Sequence, residues 1–135
     1  MEEVNKKLRH LGIALLILAG FLIILPYLFM GPPTSFFYVE NGDETNHTVL
    51  IKIVDSNSKP IFEENYKLSP HEKTEESKSL WLLLKMSFPL SKNNYTIKAT
   101  LENNISTEES VSLNPWTSLY ISVIDESVFI DSLQV

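Results

Sequence analysis

Cysteine is absent from the 135 residues. That excludes disulfides, thiolate metal sites, a cysteine nucleophile and the lipid-carrying cysteine of a bacterial lipoprotein signal. The fold must be held by core packing alone. Arginine is almost absent too. Arg9 is the single one, and from Gly31 onward eight lysines stand against fifteen Asp or Glu, a net charge of −7. Nucleic-acid binding needs a basic stripe and is helped by arginine forks, so none is expected here. Histidine is scarce, and a zinc or copper site wants a cluster of such ligands. His10 lies near the N-terminus, while His47 and His71 each stand in or beside a turn with no partner at ligand spacing. Both are expected to be solvent-exposed, and no metal or other cofactor is expected.

Charge is missing altogether from residues 11–30, LGIALLILAGFLIILPYLFM. At about 1.5 Å per residue a helix of this length covers about 30 Å, the thickness of a bilayer's hydrocarbon. No polar face interrupts it, which argues against a buried helix of a soluble core. Lys6, Lys7 and Arg9 precede the run, whereas Glu40, Asp43 and Glu44 follow it with no basic residue before Lys52. The positive-inside rule therefore predicts a cytoplasmic tail over 1–10, a transmembrane helix over 11–30 and an extracytoplasmic remainder of a single-pass cell-membrane protein. A cleaved signal peptide would have a shorter apolar core and a small-x-small site. Here the run ends Tyr-Leu-Phe-Met-Gly-Pro-Pro, which predicts an uncleaved signal anchor. Pro26 reads as a kink or as helix-end punctuation. Gly12, Ala14, Ala19 and Gly20 do not fall at the four-residue spacing of closely packed helix pairs, so the helix reads as a tether. A linker over 31–35, stiffened by Pro32 and Pro33, predicts a domain held close to the bilayer.

From residue 36 to 135 the pattern changes to short runs rich in β-branched and aromatic residues. Strands are expected over 36–40, 47–55, 60–68, 73–87, 95–102, 105–113, 117–125 and 127–133. The fourth run is expected to break near 75–78, leaving 81–86 as its firm strand. Val49, Ile51 and Ile53 share one face of the second run, as Tyr95, Ile97, Ala99 and Leu101 do in the fifth. Turn signals separate the runs at Asn41-Gly42, Asp55-Ser-Asn-Ser58, Glu102-Asn-Asn104 and Asp125-Glu-Ser127. Together these predict an all-β domain, an antiparallel Greek-key sandwich of about seven to nine strands. No stretch shows the helical period that a parallel βαβ unit requires.

Tyr95-Thr-Ile-Lys-Ala99 resembles the sixth strand of an immunoglobulin-like domain, where a corner tyrosine precedes an alternating run; Ile97 takes the place that antibodies give to cysteine. With Val39-Glu-Asn41, His47-Thr-Val49, Leu68-Ser-Pro70-His-Glu72 and Phe88-Pro89, roughly residues 36–112 are similar to the membrane-anchored or secreted Ig-like ectodomains common in archaea. The resemblance implies a sandwich used for display, adhesion or assembly at the cell surface, with no catalytic residues to carry over. Phe62 stands where that pattern has a core tryptophan, and two strands follow the expected last one. A transthyretin-like Greek-key order therefore stays open.

Three Asn-x-Ser/Thr sequons, at Asn46, Asn94 and Asn104, stand beside predicted turns and are candidates for N-glycosylation. Asp125, Glu126 and Asp131 could hold calcium loosely but lack the spacing of an EF-hand loop, and read better as solvated turn residues. Serines are abundant, yet no nucleophile elbow accompanies them, and no enzyme activity is expected. The segment 80–90 is apolar on both faces of its expected strand. It reads as a strand packed on both sides, or as an exposed patch with Trp81, Leu83, Met86 and Phe88 available to a partner protein or the outer leaflet.

The expected function is a non-catalytic, membrane-tethered surface sandwich acting by protein–protein interaction, as an accessory envelope subunit or an adhesion-type module. Self-association into a surface layer or filament is the second class, and a small extracytoplasmic hydrolase the third.

Overall fold

A computed structural model describes residues 2–88 and 92–134. The chain forms two compact units, 1–33 and 34–135. The first is one helix, α1 (Glu2–Met30), of which Glu3–Met30 is long and apolar enough to cross a membrane. The charged segment 2–10 continues the helix rather than forming a separate tail, with Glu3 and Lys7 paired at 3.3 Å one turn apart. Pro26 does not end it: the helix runs on to Met30, and Pro26 withholds the donor that Leu22 would otherwise accept from. Termination falls at Gly31, whose φ of 79° is the left-handed cap conformation that glycine reaches without strain. Its N–H donates to the Tyr27 carbonyl at 3.1 Å, and Pro32 follows, unable to extend the ladder.

The second unit contains eight strands among the described residues: β1 (Phe37–Asn41), β2 (His47–Asp55), β3 (Pro60–Leu68), β4 (Lys73–Glu76), β5 (Asn94–Leu101), β6 (Ser106–Ser112), β7 (Thr117–Ile124) and β8 (Ser127–Gln134). They form two four-stranded sheets, ordered β4-β1-β7-β8 and β3-β2-β5-β6. Pairing is antiparallel except between β1 and β7, which run parallel from Phe37↔Leu119 to Asn41↔Val123. The two-sheet sandwich is thus present. In the constant-type immunoglobulin arrangement the first two strands share a sheet; here β1 and β2 lie in opposite sheets.

Alternation explains the core. Val49, Ile51 and Ile53 of β2 and Tyr95, Ile97, Ala99 and Leu101 of β5 point inward and are buried, facing Phe37 and Val39 of β1 and Leu119, Ile121 and Val123 of β7 in the other sheet. Phe37 anchors an aromatic cluster, meeting Phe62 at 5.2 Å and Tyr66 at 5.8 Å edge-on, the geometry in which ring edges meet ring faces favourably. On the other face of the first sheet Lys73 Nζ sits 4.9 Å over the rings of both Tyr38 and Tyr120, whose hydroxyl donates to Glu40.

One expected strand is overturned. The segment expected to be strand at 81–86 is a helix, α2 (Leu80–Ser87). Apart from Trp81 its apolar residues are leucine and methionine, good helix formers with no β-branch. Ser79 caps it, with extended φ and ψ and its Oγ accepting from Leu82 N–H at 3.2 Å. The strand proper stops at Glu76, inside the break expected at 75–78.

Candidate binding surface

Because α2 turns 100° per residue, its apolar residues divide between two faces. Leu82 and Met86, one turn apart, point into the sandwich and are buried. Leu80 (74% exposed), Trp81 (76%), Leu84 and Phe88 point out. Leu83 is half-buried between the two faces. Of the four residues expected in the patch, Trp81 and Phe88 are therefore outward, while Met86 belongs to the core. Leu80 and Leu84 are the outward residues missing from that set: on a helix they lie on the same face as Trp81, whereas on a strand they fall on the face opposite to it. Pro89 and Leu90, the end of the apolar run, lie outside the described residues.

Between α2 and the start of β3 lies an open cleft of about 330 Å³. Phe36, Ile61, Phe62 and Leu82 give it an apolar floor, Trp81 stands on one side, and Asp55, Lys59, Glu76 and Lys85 supply charges of both signs around it. Asp55 is held in place by the turn it starts: its Oδ1 accepts from the N–H groups of Asn57 (2.9 Å) and Lys59 (3.1 Å). These two bonds, helped by Lys85 Nζ at 3.5 Å, hold its carboxyl below the usual aspartate range against the desolvation that raises it. The outer edge of β3 is the edge of its sheet.

Lys78 stands just before the Ser79 cap. It is buried, and its ammonium is aimed at four oxygens: the carbonyls of Thr34 (2.7 Å), Ser35 (3.0 Å) and Pro115 (3.1 Å), and Thr34 Oγ1 (3.2 Å). Desolvation lowers its pKa from 10.5 to about 8. The lysine thus joins the first residues of the domain, the start of α2 and the 114–116 corner at one end, here called the root.

The opposite end carries a cluster the sequence did not disclose. His47 is buried, correcting its expected exposure, and lies between two carboxylates. Glu102 Oε1 is 2.9 Å from Nδ1 and Asp43 Oδ2 is 3.0 Å from Nε2. With carboxylates on opposite ring nitrogens, the three groups do not converge on a point where a metal could sit. Asp43 also accepts from the N–H groups of Glu126 and Asp125, which hold it below the ordinary aspartate range. His71 is exposed, 3.2 Å from Glu44.

The remaining candidates separate. Asn46, Asn94 and Asn104 are all exposed, Asn46 and Asn104 in loops and Asn94 as the first residue of β5. Asp125 and Glu126 form the β7–β8 turn, but Asp131 pairs with Tyr120 four positions along β8 from Ser127, about 13 Å away at strand rise, so the three acidic residues do not form one site. Neither protein-family models nor curated proteins match this sequence.

Proposed function

We propose that this chain is a single-pass membrane-tethered surface protein whose β-sandwich domain is non-catalytic and acts by binding another protein. On this reading α1 is an uncleaved signal anchor with its N-terminus in the cytoplasm, and the sandwich lies outside the cell membrane. The flanking charges support that orientation, since Lys6, Lys7 and Arg9 stand just before the apolar run and the first charged residues after it are Glu40, Asp43 and Glu44. Within Greek-key sandwiches, the separation of β1 and β2 into different sheets favours the transthyretin-like order over the immunoglobulin-like one.

The observation that carries the binding role is the cleft. An open cleft floored by Phe36, Ile61, Phe62 and Leu82 beside a strand edge suits an extended protein segment. Such a segment adds its backbone to the edge and sets an apolar side chain in the pocket. The mixed charges around it supply orientation more than affinity. An accessory subunit of an envelope complex fits this arrangement best. The exposed sequons support glycosylation at Asn46, Asn94 and Asn104 in a host that modifies surface proteins.

Photo-crosslinking in intact cells tests the reading. With a benzophenone side chain in place of exposed Lys59 at the cleft, the expected product is one defined partner in fixed ratio, absent when the probe replaces Asp131. Recovery of this chain alone from the Lys59 probe would overturn the accessory-subunit role and favour self-association into a layer or filament.

A further inference from the structure

We infer that α2 is a foot by which the domain rests on the lipid surface, with Leu80, Leu84 and Phe88 entering the interfacial region and Trp81 at its boundary. The inference rests on the reading of α1 as a membrane anchor and adds a second, peripheral attachment to it.

Three observations carry it. The polarity of α2 is inverted for a helix packed on a soluble domain, which turns polar residues outward. Here the outward arc from Leu80 through Leu84 to Trp81 is wholly apolar, and the cap residue Phe88 extends it. Second, α2 starts at the root. Lys78 Nζ binds the carbonyls of Thr34 and Ser35, and the very next residue caps the helix. Third, only residues 31–33 separate Met30, the last residue of the apolar helix, from Thr34. The four steps from Met30 to Thr34 reach no more than about 14 Å. A bilayer surface is therefore within reach of the root in every anchored copy, at an effective concentration that a diffusing partner does not match.

The chemistry suits lipid. Short amphipathic helices lie in the interface with their apolar face about 5–10 Å into the headgroup and acyl boundary, and tryptophan concentrates at that level. A protein partner is the weaker occupant, because three side chains of an eight-residue helix and its cap residue Phe88 make a small patch beside the ~800 Å² per partner of a standard interface. With the foot seated, the cleft between α2 and β3 is held at the bilayer surface, which points to a membrane-embedded partner for it.

The absence of cysteine makes the test direct, since one introduced thiol takes one nitroxide label. Full-length chains carrying Leu84→Cys, Leu80→Cys, Leu18→Cys or Glu126→Cys are labelled and reconstituted into phosphatidylcholine nanodiscs. Collisions with dissolved oxygen, which concentrates in lipid, are compared with collisions with a water-soluble nickel chelate. The expected result is oxygen-dominated relaxation at residues 18, 80 and 84 and nickel-dominated relaxation at 126. Labels at 80 and 84 as nickel-accessible as that at 126, with 18 in lipid, would overturn the foot and leave the anchor standing. Labels at 80 and 84 shielded from both reagents would overturn it in favour of a protein cover. A nickel-accessible label at 18 would remove the anchor reading and the foot with it.

Discussion

Lys78 Nζ lies 2.7 Å from the carbonyl oxygen of Thr34, forty-four residues earlier in the chain. The same ammonium serves Ser35 and Pro115, so one side chain fastens the start of the domain to the corner before β7. Truncation leaves three carbonyls without that donor in a partly buried site, and each unsatisfied group costs roughly 1–3 kcal/mol where water cannot replace it. Lys78→Ala is therefore expected to lower domain stability by ~2–4 kcal/mol, measured by urea denaturation of the full chain in detergent. A loss under ~0.5 kcal/mol would mean that water takes over the lysine's role.

Trp81 and Met86 lie five residues apart on α2 and should part company on mutation. Met86→Ala removes buried volume and is expected to cost ~2–4 kcal/mol. Trp81→Ser removes an exposed side chain and is expected to change stability by ~0.5 kcal/mol or less, while weakening whatever engages the cleft. Parallel melts of the two variants check this. Equal destabilisation would mean that Trp81 is core.

How far each element could be read beforehand follows from the same physics. β2 and β3 occupy the residues expected of them: in β2 the β-branched Val49, Ile51 and Ile53 recur at every second position, and turn residues bound both runs. In 80–87 apolar side chains fill nearly every position, so neither a period of two nor one of 3.6 stands out. What remained legible was chemistry: Ser79 as a cap, and leucine and methionine in place of valine and isoleucine. For His47, Asp43 is a near neighbour in sequence, but Glu102 is fifty-five residues away and reaches the ring only because β2 pairs with β5. No local pattern announces such a contact. Lys78 was hidden for the same reason, as its acceptors stand forty-four and forty-three residues before it and thirty-seven after it.

Acid should loosen the far end first. The N–H groups of Glu126 and Asp125 hold Asp43 below its ordinary 3.8. For Glu102, burial raises the pKa, but the N–H groups of Glu102 and Thr48 and the His47 ring outweigh it and bring it below 4.5. A carboxyl with a depressed folded-state pKa adds stability that is complete above its unfolded value and is lost as pH falls through the folded one. The urea midpoint is thus expected to fall between about pH 5 and about pH 3. Asp43→Asn should be less stable at neutral pH and show a shallower fall. An identical pH slope in that variant would remove Asp43 from the account.

The β7–β8 turn holds Asp125 at φ 52° and Glu126 at φ 58°, two consecutive left-handed residues between the paired Ile124 and Ser127. That is the backbone of a type I′ hairpin, which follows strand twist but prefers Asn-Gly or Asp-Gly. Asp125 suits its position; Glu126 does not, since its Cβ crowds the following carbonyl at a cost of roughly 1–2 kcal/mol. Asp43 offsets part of this by accepting both turn N–H groups, bonds made by backbone atoms and so indifferent to the side chain at 126. Glu126→Gly is therefore expected to stabilise the domain by about 1 kcal/mol, the relief of strain exceeding the added freedom of the unfolded chain. A Glu126→Gly variant no more stable than the parent in urea would show that the turn is already relaxed by its bonds to Asp43.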